Sequence, residues 1–368
     1  MATTDNESDI EAGELIVFSA DMAEARRLDQ QLQQLGHSIK RRRTLKQLGT
    51  VISTIRLADG IPPHEGIRQL QQFDRQLLID ANHRYRLSES DSTQSTATHA
   101  LVGWDHVPAD CGKGLRLGLV DTLVDTTHPS LASSTVVSRS FLPLGVNAAD
   151  RRHATAIASI LLGRQSNGNG ITGLLPGAEL YNAGIFRQRD GKQVDTTAEL
   201  IISALNWLQE QQVSVINISL AGSPNRLLQW VVEHLLQRNQ LLTAAAGNAG
   251  PDAPPAYPAA WPGVAGVTAV DQQAHIYRHA NHGSYIDLAA PGVDVWAARP
   301  GAPGAYYTGT SYAVPYATAA LAILKQNNPD MNGAELRQAL QKTARDLGPP
   351  GRDPTFGYGL LQLPDGCG

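Results

Sequence analysis

Three observations in this 368-residue sequence predict an α/β protein with a mostly parallel sheet, preceded by a smaller α+β domain. From Leu101 onward, short apolar runs alternate with stretches of helical character. Residues 88–100, SESDSTQSTATHA, are almost wholly small and polar and divide the chain in two. Ahead of them, residues 14–87 show a tighter alternation of strand and helix patterns. Buried strands that alternate with helices stack as a parallel sheet covered on both faces. A hydrophobic content of 42% is enough for one large core and a small companion.

Residues 1–12 are polar and acidic and are expected to form a disordered lead. Glu14–Ser19 reads as a strand. A helix is predicted from about Ala20 to Leu35, with Met22, Ala25, Leu28, Leu32 and Leu35 on one face and Gly36 as its stop. Two strand-like runs follow, HSIKRRR and GTVISTIRL, then a helix from near Pro63 with Ile67 and Leu70 inward, then the strand QLLID. The order β-α-β-β-α-β is the ferredoxin-like pattern and bounds a domain at 13–87. Arg41, Arg42 and Arg43 are expected on a solvated strand face rather than in a nucleic-acid patch. Residues 88–100 have no means of burying themselves and read as a cleavable linker.

The second domain is expected to span 101–368. Its strand-like runs are 115–120, 179–186, 214–220, 241–247 and 263–270. One helix opens at Thr196 with a T-x-x-E capping box closed by Glu199, and the next at Ser223-Pro224. In a parallel sheet, function gathers at the carboxyl ends of the strands.

A net charge of −4 and a pI near 6.3 give no electrostatic case for nucleic acid or an anionic membrane. No apolar run approaches the ~20 residues needed to span a bilayer, and MATTDNESDI lacks a signal-peptide apolar region. The two cysteines, Cys111 and Cys367, suit one disulfide or two unpaired thiols. A bond between them would tie the start of the second domain to the end of the chain.

Four residues carry chemistry. Asp121 stands just past a buried strand, in GLVDTLVDTTHPSL, where a carboxylate is held nearly out of water. His153 heads a helix of small and branched residues, in DRRHATAIASILLG. Ser311 lies in YYTGTSYAVPYATAALAILK, at the N-terminus of a helix apolar on nearly all sides from Ala313 to Leu324. Its hydroxyl there faces unpaired N–H groups and the positive end of the dipole, which suits a nucleophile whose attack creates an oxyanion. Pro315 is expected in the first turn. Asn248 closes LLTAAAGNAG, with an amide able to donate to that oxyanion. Singly, each also reads as a turn, cap or core residue.

Jointly, the segments resemble the Asp, His and Ser signatures of the subtilisin family, the subtilases, and the order Asp, His, Ser is that family's order. VINISLAG (215–222) resembles the family's substrate strand, and YPAAWPGVAGVTAVD (257–271) its stretch after the oxyanion loop. The resemblance covers essentially all of 101–363, and residues 14–87 look like a subtilase propeptide. It implies a subtilisin-like three-layer sandwich and a serine endopeptidase, made as an autoprocessed zymogen. The implied triad is Asp121, His153 and Ser311, with Asn248 and the Ser311 N–H as oxyanion hole. Ser219, Leu220, Ala221, Gly222 and Gly247 are the implied substrate-binding residues, and a cis peptide is implied at Tyr257–Pro258.

Some positions depart from the family. Leu123, Ala154, Ser159 and Ala221 stand where glycine is common, which puts local backbone rather than catalytic groups in question. Ser130 replaces the aspartate that many relatives use to bind calcium, and the partner loop around Arg164–Gly173 looks short. The common high-affinity calcium site is therefore expected to be absent, and no metal or cofactor is expected. The expected partners are polypeptide substrates and the chain's own propeptide as inhibitor, with no nucleic acid, no membrane span and a monomeric state. The expected location is outside the cell or in the periplasm. The alternatives are a narrow-specificity processing protease and a catalytically inactive binding module on the same fold.

Three patterns are set aside. Gly168, Gly170 and Gly173 follow a helix and precede a strand, the reverse of a dinucleotide site. Asn217-Ile-Ser219 spells a glycosylation acceptor within a buried strand. His275, His279 and His282 are expected on a surface loop rather than around zinc.

Overall fold

A computed structural model describes residues 9–87, 90–91, 99–104, 107–166, 168, 170–189, 193–363 and 367. Its first part runs β1 (Ile10–Ser19), α1 (Met22–Gln34), β2 (Ser38–Leu45), β3 (Thr50–Arg56), α2 (Pro63–Phe73) and β4 (Ile79–Leu87). The strands lie in the order β2-β3-β1-β4, each neighbour antiparallel. Asp21 caps α1 by accepting from Glu24 N, and Gly36, at φ +74°, turns the chain after it. Leu28 and Leu32 from α1 and Leu70 from α2 pack on Leu15, Val17, Ile55 and Ile79, and this small core holds the unit together.

Several details differ from the sequence reading. β1 begins at Ile10, inside the expected disordered lead, because Ile10 is buried and pairs with His83. Met22 is exposed rather than inward. The last strand is Ile79–Leu87 and not QLLID, since the arginine-rich appearance of NHRYRL hides alternate buried positions at Ala81, His83 and Tyr85. The three arginines of β2 are not a solvated face. Arg42 pairs with Asp29 at 2.5 Å, and Arg41 reaches the buried Glu199 at 2.6 Å. A short strand, β5 (Ser90–Asp91), falls within the expected linker.

The second part continues with β6 (Arg116–Asp121), β7 (Thr135–Ser140), α3 (Arg152–Leu162), β8 (Glu179–Gly184), β9 (Arg187–Gln188), β10 (Val194–Thr197) and α4 (Ala198–Glu210). Next come β11 (Val215–Ile218), β12 (Leu220–Gly222), α5 (Arg226–Gln237), β13 (Leu241–Ala245), β14 (Ala265–Val270) and β15 (Ile286–Pro291). It closes with β16 (Val295–Arg299), β17 (Ala302–Thr308), α6 (Thr310–Asn327) and α7 (Gly333–Thr343). Seven strands form one sheet in the order β15-β14-β13-β11-β6-β8-β7, with every neighbouring pair parallel. One face buries α3 and α6, the other α4 and α5, so the sheet is the middle of three layers. Strand order reverses between β6 and β11, which opens a crevice at their carboxyl ends.

Helix starts differ from the sequence reading where a side chain has a stronger partner. Helix α4 opens at Ala198, because Thr196 Oγ1 donates to Ile185 O and the Glu199 carboxylate is taken by Arg41. The cap of α5 is Asn225, which accepts from Leu228 N, and not Ser223. Helix α6 starts at Thr310, so Ser311 lies inside its first turn and Pro315 lies beyond it. Tyr257–Pro258 is cis. Among the described residues no helix is long and apolar enough to cross a membrane.

Cys111 and Cys367 form a disulfide across 256 residues of chain, with Cα atoms 5.0 Å apart. Closing so long a loop removes much freedom from the unfolded chain. Cys111→Ser is therefore expected to lower unfolding stability by about 2–5 kcal/mol, read as a lower denaturant midpoint at unchanged slope.

Candidate active site

Each of the four chemistry-bearing residues sits at the crevice. Asp121 ends β6, His153 opens α3, Asn248 follows β13 and Ser311 lies in the first turn of α6. Asp121 and His153 are fully buried, and His153 Nδ1 is 2.8 Å from both carboxylate oxygens of Asp121. A carboxylate only accepts, so Nδ1 donates and Nε2 is left as the basic nitrogen. Thr122 N also donates to Asp121 Oδ1 at 2.6 Å, while Thr122 Oγ1 accepts from Ala154 N. The aspartate strand and the histidine helix are thus tied together. The His153 ring packs on Tyr312, centroids 5.3 Å apart, which joins it to the serine helix.

Ser311 Oγ donates to Ser219 O at 3.1 Å, and Ser219 Oγ donates back to Ser311 O at 3.3 Å. The helix that carries Ser311 is therefore fastened to the residue between β11 and β12. Ser219 Oγ also accepts from Asn217 Nδ2 at 2.7 Å, and Asn217 is fully buried, out of reach of a glycan.

Asn248 Oδ1 accepts from Thr310 N at 3.1 Å and from Thr310 Oγ1 at 2.9 Å. Two donors on one oxygen fix the amide's orientation and turn Nδ2 the other way. Nδ2 is buried and has no hydrogen-bond partner among the described residues. A buried, unspent donor beside a serine is costly unless something negative comes to it. Thr310 was not singled out in the sequence, although its place directly before Ser311 was a usable signal. It also accepts from Gly247 N at 3.2 Å. Gly247, at φ +105°, admits no Cβ, which would meet Asn281 Nδ2 at 2.8 Å.

The expected substrate residues Leu220, Ala221 and Gly222 form β12, and the chain's own β4 is paired with it antiparallel, Leu87 to Leu220 and Tyr85 to Gly222. On its other side β4 pairs with β10, Tyr85 to Thr196 and Arg84 to Thr197. Tyr85 is fully buried, its ring lies where a Cβ on Gly222 would fall, and its hydroxyl donates to Ser223 O at 2.9 Å. Burial pushes the Tyr85 hydroxyl's pKa well above the ordinary value, with Asp80 adding to it, so it stays a donor. Alongside, a cavity of about 420 Å³ is lined by Ala221, Gly222, Gly247 and Asn248.

Burial works to raise the Asp150 carboxyl, but the Arg152 hydrogen bonds win and hold it below the ordinary range. Ser130 is buried, with Oγ 2.9 Å from His128 Nδ1, and its carbonyl accepts from Arg164 N. Among the described residues no group of three or more His, Cys, Asp or Glu side chains is placed to hold a metal ion. His275, on the surface, faces Asp271.

A buried carboxylate–imidazole pair, a helix-borne serine and an oriented amide donor at one crevice equip a protein for nucleophilic acyl transfer. The family model described as "Subtilase family" matches residues 112–359, and the chain belongs to that family. It is 31% identical over 252 residues to Subtilisin Savinase of Lederbergia lenta, covering 68% of this chain and 89% of that protein. It is 29% identical over 316 residues to the Minor extracellular protease Epr of Bacillus subtilis (strain 168), covering 81% of this chain but 47% of Epr. In fold it is similar to fervidolysin from Fervidobacterium pennivorans, a keratinolytic enzyme related to subtilisin, with a TM-score of 0.80 at 21% identity. That likeness covers 97% of this chain and 61% of fervidolysin.

Proposed function

We propose that this chain is a serine endopeptidase that hydrolyses peptide bonds through an acyl-enzyme and is made as an autoprocessed zymogen. Ser311 Oγ attacks the scissile carbonyl and passes its proton to His153 Nε2. Asp121 holds the imidazole in that tautomer and stabilises the imidazolium. The oxyanion is held by Asn248 Nδ2 and the Ser311 N–H. His153 then returns the proton to the leaving amine, and water releases the acyl group. The observation that carries this reading is the buried 2.8 Å Asp121–His153 pair at the same crevice as the unspent Asn248 donor. The purified chain is expected to degrade an unfolded polypeptide, and no degradation by a chain that has lost its N-terminal part contradicts the reading.

Residues up to Leu87 are, in this reading, a ferredoxin-like propeptide that helps the rest to fold and inhibits it. The support is β4, which runs between β10 and β12 as a substrate strand does in strand addition. Autoprocessing is expected within Leu87–Ala100, a stretch largely outside the described residues. N-terminal sequencing of the matured protein checks it, and a start before Arg84 contradicts it. The disulfide supports an oxidising location, outside the cell or in the periplasm.

The common calcium site is proposed to be absent, because the Ser130 hydroxyl is a weaker ligand than a carboxylate and is already bonded to His128. Equilibrium dialysis is expected to find no tightly held calcium. A calcium ion bound by this loop contradicts the proposal.

A further inference from the structure

A cluster of charge that the reaction does not use lies where β9 and β10 meet β1 and β4. Arg187 Nη2 donates to Glu11 Oε2 at 2.6 Å, Arg189 Nη2 bonds the same oxygen, and Arg84 Nε donates to it at 3.1 Å. Behind them Asp195 accepts from Arg187 Nε at 2.7 Å and forms an ion pair with Arg189, whose Nε lies 2.7 Å away. Two guanidiniums therefore bridge two carboxylates. Asp195 belongs to the second part of the chain, and Glu11 comes from the first. The site is built rather than casual, with the Arg187 and Asp195 side chains only 17% and 7% exposed. Burial works to raise the Glu11 carboxyl, yet Arg187, then Arg189 and Arg84, outweigh it and hold its pKa below the ordinary value. Beside Glu11 a cavity of about 480 Å³ opens along Gly145, Val146, Asn147 and Gln193.

We infer that Arg187 and Arg189 form a carboxylate-binding subsite, held by Glu11 in the precursor and open afterwards to an acidic residue of a substrate chain. The inference rests on the zymogen reading, since Glu11 and Arg84 leave together when the chain is cut beyond Leu87. What stays is two arginines and one aspartate, formally +1. A substrate strand lying where β4 lies puts one residue opposite Thr197, as Arg84 is now. A glutamate there carries its oxygens as many bonds from Cα as arginine carries Nε. Its carboxylate thus arrives about where Arg84 Nε sits, one hydrogen bond from the place of the Glu11 oxygen. Asp195, 3.9 Å from Arg84 Nε, argues for a basic residue instead. Its charge is already spent on two closer guanidiniums, so the acidic residue wins.

The test uses the full chain after its mass shows self-processing complete, and peptides copying residues 80–91 with glutamate, glutamine or arginine in place of Arg84. The glutamate peptide is expected to exceed the glutamine peptide about tenfold in kcat/KM, mainly through KM, and less so at high salt. In Arg187→Gln and in Arg189→Gln that ratio is expected to fall towards one. The ratio is internal to each variant, so any loss of folded protein cancels. A glutamate peptide no better than the glutamine one, an arginine peptide cut best, or a ratio that survives both substitutions overturns the subsite. A chain that processes itself and, freed of its N-terminal part, still cuts none of the three overturns the subsite alone, whereas one that never processes itself contradicts the protease reading, and the subsite falls with it.

Discussion

Ser311→Ala is expected to lower turnover about 10⁶-fold, some 8 kcal/mol of barrier, and to leave the chain at full length. The magnitude is that of the corresponding change in subtilisin and is carried over to this relative. The physical reason lies in how little else changes. Ser311 is fully buried, its Oγ makes one contact with Ser219 O at 3.1 Å, and alanine fits the same helix turn. The fold is expected to survive while the proposed nucleophile is gone. Intact mass over time and a peptide assay read both consequences, and self-cleavage at the unmodified rate contradicts the assignment.

The second large effect is expected at Asn248. Replacing it with alanine removes the buried Nδ2 donor proposed to meet the oxyanion and is expected to cost about 10²–10³ in kcat, roughly 2.7–4 kcal/mol, with little change in KM. Subtilisin is the worked case for this magnitude too. A KM change alone, with kcat preserved, contradicts the oxyanion role. Thr310 fixes the amide by two hydrogen bonds, so under the proposed mechanism it acts as a positioning residue.

Five of the seven strands of the large sheet were legible because they are short, apolar and bounded by helices, whereas the edge strands β7, whose side chains are mostly exposed, and β15 were not among the runs read as strands. The four chemistry-bearing residues were legible only in concert, since each one alone reads as a cap, a turn or a core position. Details set by tertiary partners were not legible. Glu199 was expected to close a capping box, but a partner 158 residues earlier, Arg41, takes its carboxylate. Ile10 falls in the expected disordered lead because its neighbours are acidic, yet those acids include Glu11, which meets Arg84 of β4, Arg187 of β9 and Arg189 just after it. The strand β4 was hidden for the same reason. Its arginines are met by Glu11 of β1 and Asp9 just before it, 73 and 77 residues earlier, and its Tyr85 hydroxyl by Ser223, 138 residues later, and no local pattern records that.

The central claim, that Ser311 is an activated nucleophile, is tested most directly by a fluorophosphonate probe. The purified chain and Ser311→Ala are treated side by side, each nicked in the 88–100 stretch and freed of its N-terminal part so that β12 is open in both. The account predicts one probe equivalent covalently attached at Ser311 and none on the alanine variant. An unlabelled nicked chain, or equal labelling of both proteins, contradicts it.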